Sequence, residues 1–112
     1  MILLQLATLL TVFQSARTPI IGTLIVAHGG DSSWNASVDS VAKSVRLTGP
    51  VGVSFLMGQG ASTHRFQDVA RSLARRGAER IVVVPLFVSS HSGHYEQLRY
   101  LVGQTDTLDA EM

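Results

Sequence analysis

The chain has 112 residues, a formal net charge of +1 and no cysteine. This length fits one domain with a modest core, and the missing thiols exclude disulfides, thiolate zinc sites and a cysteine nucleophile. With 46% apolar and 15% charged residues and no basic run, the composition excludes a disordered chain and lacks the clustered positive face of a nucleic-acid binder.

The first residues, MILLQLATLLTVF, are nearly all apolar, and no charge precedes Arg17. The run is shorter than the roughly 20 residues that span a bilayer. Its length and the small residues Ser15 and Ala16 predict a signal peptide or N-terminal anchor over 1–16, hence an exported, periplasmic protein. Cytoplasmic residence with a buried N-terminal helix is the alternative.

After Pro19, strands alternate with helices. Gly22 to Ala27 reads as a buried strand, short, apolar and β-branched. His28-Gly29-Gly30 is its turn, and Asp31, Ser32 or Ser33 caps the next helix. There Trp34, Val38, Val41, Ala42 and Val45 recur at helical spacing, and Gly49-Pro50 stops it. Val51 to Met57 is a second strand and Gly58-Gln59-Gly60 a loop. Ser62 or Thr63 caps a second helix with Phe66, Val69, Ala70, Leu73 and Ala74 on one face, closed by Gly77. Arg80 to Val88 is the third strand. Gly93 to Val102 is a third helix, with Tyr95, Leu98, Leu101 and Val102 inward and Gly103 as its stop. The order βαβαβα predicts right-handed crossovers and a parallel sheet between helix layers, a three-layer α/β domain over 20–103 with a polar tail over 104–112. Three strands leave an open edge, which predicts either a fragment of a longer domain or a second subunit that covers the edge.

Chemistry concentrates where strands end. In a parallel sheet the segments that follow neighbouring strands share one crevice, where ligands bind. His28 follows the first strand, and His91 and His94 follow the third, so several imidazoles are expected to face one another over a single open pocket. Neutral imidazole binds divalent first-row metals and accepts a proton near neutrality. Inserting a divalent metal into a tetrapyrrole needs both, because two pyrrole N–H protons leave as the metal enters. A ligand set without cysteine stays incomplete and lets the ion go. Each histidine also has a plainer reading: turn ordering for His28, surface polarity for His91 and His94. His64, at an ordinary helix start, is expected to be structural. Ser89, Ser90 and Ser92 are candidates for hydrogen bonds to ligand carboxylates. Glu96 reads as a first-turn carboxylate favoured by the helix dipole. Trp34, Phe87 and Met57 could border a macrocycle, though core packing is the expected role of Phe87 and Met57. A hydrolase lacks its G-x-S-x-G turn here, and Ala27 stands where a histidine phosphatase needs arginine.

LIVAHGG, GVSFLMGQG and ARRGAERIVVVPLFVSSHSGHY together resemble the small class II tetrapyrrole chelatases, the sirohydrochlorin cobaltochelatase and ferrochelatase group. The resemblance covers Gly22 to Gly103. It implies ATP-independent insertion of Co²⁺ or Fe²⁺ into sirohydrochlorin or a related tetrapyrrole, with Ni²⁺ a further candidate. The metal is then a substrate and no prosthetic group is needed. It further implies that metal and proton work falls on His28 and on His91 or His94. Domains of this family continue through a fourth strand and a closing helix, so an exported, truncated member is expected here, and the open edge makes a homodimer the expected assembly. An exported relative would instead bind metal or tetrapyrrole without catalysis, and that is the alternative function.

Overall fold

The computed structural model describes residues 16–108. The segment assigned above to a signal peptide or anchor lies outside them, save for Ala16. Three strands, β1 (Ile21–Ala27), β2 (Val51–Phe55) and β3 (Arg80–Leu86), form a parallel sheet in the order β2-β1-β3. The helices are α1 (Ser32–Ser44), the single turn α2 (Gly60–Thr63), α3 (Phe66–Arg75) and α4 (Gly93–Leu101). Among the described residues no helix is long and apolar enough to cross a membrane.

The central strand sets the layers. Alternate residues of a strand point to opposite faces. Leu24 and Val26 of β1, both fully buried, pack with Leu73 of α3 and Leu98 of α4. Ala27 and the partly buried Ile25 face the other way and pack with Val38 and Ala42 of α1 and with Val53 and Phe55 of β2. A strand covered on both faces reads as a continuous apolar run, and β1 does.

The edge strand β3 reads the same but is covered on one face only. Ile81 and Val83 join the cluster of α3 and α4. Val82, Val84 and Leu86, on the alternate face, are 48%, 40% and 46% exposed. The reason is the placement of α1, which packs against β2 and leaves the neighbouring face of β3 open. Hence only Val38 and Ala42 of the predicted stripe on α1 are buried, while Trp34, Val41 and Val45 are exposed.

Local signals account for most helix ends. Asp31 caps α1, its Oδ1 accepting the Trp34 N–H at 2.8 Å. Ser92 caps α4, its Oγ accepting the Tyr95 N–H at 3.3 Å. The expected cap of the second helix at Ser62 or Thr63 is corrected. Those residues form the short turn α2, and the extended backbone of Arg65 (ψ 144°) separates it from α3. The carboxylate of Asp68, in the first turn of α3, instead takes Arg65 Nε at 2.7 Å and Arg71 Nη1 at 3.2 Å. The first helix also ends at Ser44, earlier than Gly49-Pro50. The second and third strands stop at Phe55 and Leu86, two residues short of the expected Met57 and Val88.

Candidate active site at the strand ends

The turn after β1 is tied to the segment after β2. Leu56 and Met57 donate their N–H groups to the carbonyls of Ala27 and His28 at 3.1 and 2.9 Å, so the ladder continues past the strand ends. Gly29 then turns the chain with φ +92°, a conformation that side chains with a Cβ rarely adopt. The Gly30 N–H is held by Asn35 Oδ1 at 3.0 Å, which pins the first turn of α1 back onto the loop. Sequence reasoning missed Asn35. Its signal was an amide one turn into the helix that follows a Gly-Gly turn.

His28 leaves this turn with an exposed side chain. Its Nδ1 lies 2.8 Å from the Gly29 carbonyl oxygen. A carbonyl only accepts, so this contact assigns the proton to Nδ1 and leaves the Nε2 lone pair of the neutral ring free. His94 arrives from the other side, in the first turn of α4 beyond the Ser92 cap. The two imidazole rings meet edge to face, with centroids 4.2 Å apart and an interplanar angle of 88°.

The pair lies in a cleft of about 450 Å³ at the carboxyl ends of the strands. Leu86, Phe87 and Val88 line it from the end of β3, Trp34 from α1, and Ser92 from the cap of α4. Met57 is not among its lining residues.

The structure therefore brings His28 and His94 together and leaves His91 apart. The His91 ring Nδ1 lies 3.1 Å from Ser90 Oγ, and its N–H donates to Ser89 Oγ at 3.1 Å, so these serines order the loop. Ser92 Oγ donates to the Ser89 carbonyl at 3.3 Å. Among the described residues no group of three or more histidine, aspartate or glutamate side chains could hold a metal ion, so the three histidines do not gather as one ligand set. Glu96 is paired with Arg99, whose Nη1 donates to both carboxylate oxygens at 3.2 Å. His64 lies elsewhere, with Nδ1 2.9 Å from Thr63 Oγ1 and its ring edge-on to Phe55, centroids 5.7 Å apart.

The geometry also changes one expectation. A flat ring between two imidazoles needs a van der Waals contact on each side, about 7–8 Å in all. At 4.2 Å the two rings touch each other, so a macrocycle meets them from one side.

Paired imidazoles in an apolar crevice at the ends of parallel strands suit a protein that brings a divalent metal to the apolar face of a flat ligand. The chain belongs to the CbiX family, among the class II tetrapyrrole chelatases: the family model, described as CbiX, matches residues 22–110. By class it is a tetrapyrrole metal chelatase, a lyase whose substrates are a divalent metal and a tetrapyrrole. No curated protein and no solved structure matches the chain.

Proposed function

We propose that this protein inserts Co²⁺ or Fe²⁺ into sirohydrochlorin or a closely related tetrapyrrole, without ATP, and that His28 and His94 do the work. The observation that carries the proposal is the contact between these two imidazoles within the apolar cleft.

The reaction replaces two pyrrole N–H protons by one divalent ion. Each neutral imidazole offers one lone pair, which binds either the metal or a proton. His28 has its Nε2 lone pair free because Nδ1 is engaged with Gly29. A metal held by the pair passes to the ring nitrogens, and the vacated lone pairs then accept the two protons. Both steps occur on the same face of the macrocycle, as the ring contact requires. Two nitrogen ligands hold an ion weakly enough to release it, whereas a closed set of four would retain it. The apolar walls take up the hydrocarbon surface of the macrocycle.

A homodimer, with a second copy over the open face of β3, and export directed by residues 1–16 belong to the same proposal. The exposed Val82, Val84 and Leu86 support the first. The apolar N-terminal run supports the second.

The test is an anaerobic absorbance assay of sirohydrochlorin with Co²⁺ or Fe²⁺, with and without protein and with no nucleotide. Formation of the metallated chromophore above the uncatalysed rate is the expected result. Tight binding of metal or tetrapyrrole without any rate increase would replace the enzyme by a binding protein.

A further inference from the structure

Trp34 is the single tryptophan of the chain, and its place is odd for a core residue. It stands first in the apolar stripe of α1, yet it is 48% exposed while Val38 and Ala42 of the same stripe are buried. Its exposed surface lines the cleft that holds His28 and His94. The base of the indole is nevertheless held closely. The Trp34 backbone N–H donates to Asp31 Oδ1 at 2.8 Å, which fixes the helix start that carries the ring. Gly30 lies so near that a methyl group there would come within 2.9 Å of Cδ1 and 3.1 Å of Cγ. The second glycine of the His-Gly-Gly turn thus makes room for an aromatic ring at the mouth of the site.

The imidazole pair cannot sandwich a macrocycle, so a flat ligand needs another surface to lie against. Among the described residues the cleft lining contains no carboxylate, lysine or arginine, and its largest side chain is the indole. We infer that Trp34 is the stacking wall for the tetrapyrrole, holding the ring plane against the His28–His94 pair. Stacking suits this task because it fixes the plane while tolerating different peripheral groups, as aromatic platforms do for bases. The carboxylate side chains of the ligand then extend out of the apolar cleft into water. This inference rests on the chelatase reading above.

Metal-free sirohydrochlorin is titrated into the full chain and followed by its visible absorbance and by Trp34 emission, which reports on the cleft alone. The expected result is quenching of the indole on binding. Trp34→Ala should raise Kd about tenfold, equivalent to about 1.4 kcal/mol, while Trp34→Phe, which keeps a flat ring, should stay within about threefold. Gly30→Ala, which pushes the indole aside, should weaken binding as Trp34→Ala does. Circular dichroism and urea melts confirm that each variant is folded. A Trp34→Ala protein that binds as tightly as the parent overturns the inference, as does a Trp34→Phe protein as weak as Trp34→Ala. A parent that binds no tetrapyrrole overturns the chelatase reading itself.

Discussion

Replacing Gly29 by alanine tests whether the turn that presents His28 is as constrained as the structure shows. A Cβ at Gly29 would lie 2.1 Å from the Met57 carbonyl oxygen and 3.3 Å from the Phe55 Cβ. The first distance is far inside van der Waals contact, and the obstacle is backbone. The φ of +92° adds a conformational penalty of about 1–2 kcal/mol for a residue with a side chain. Relieving the clash requires Met57 to move, which strains its bond to the His28 carbonyl, a 2.9 Å contact. Losing that bond and leaving its groups unpaired costs about 1–2 kcal/mol more. The sum is about 2–4 kcal/mol, a large fraction of the 5–15 kcal/mol typical of a whole domain. The assay is urea unfolding followed by circular dichroism. With a slope near 2 kcal/mol per molar, the midpoint should fall by about 1–2 M at unchanged slope. A loss below about 0.5 kcal/mol would refute the reasoning, because the turn would then relax freely and could not fix the imidazole.

Two further substitutions test the core. Leu73 is fully buried between α3 and β1, so Leu73→Ala should cost about 2–5 kcal/mol in the same melts, and a cost below 1 kcal/mol would contradict the packing. Ser54 of β2 is fully buried and its Oγ has no hydrogen-bond partner among the described residues. A buried hydroxyl without a partner is unfavourable, so Ser54→Ala should leave the urea midpoint unchanged or raise it. A clear fall would mean that the hydroxyl is bonded.

Much of this architecture is legible in the chain. The β-branched runs and the glycine and proline breaks locate all three strands and all three long helices, because those signals are local. The convergence of His28 with the third loop also follows from topology, since parallel strands deliver their ends to one crevice. The choice between His91 and His94 does not. Which of them meets His28 depends on where the helix starts: the Ser92 cap places His94 in the first turn, against His28, and leaves His91 in the loop. The open face of β3 is not legible for a related reason. A run such as IVVVPLF carries no record of which face a helix covers, and α1 packs over β2 instead.

The central claim is that His28 and His94 act as one site and that His91 stands outside it. The direct measurement is the initial rate of Co²⁺ insertion into sirohydrochlorin for His28→Ala, His94→Ala and His91→Ala beside the parent. Loss of a group that moves a proton costs about 10²–10⁴-fold, so the first two variants should fall by at least about 100-fold. His91→Ala should stay within about threefold of the parent. Full activity in His94→Ala, or a collapse confined to His91→Ala, would contradict the pairing seen at 4.2 Å.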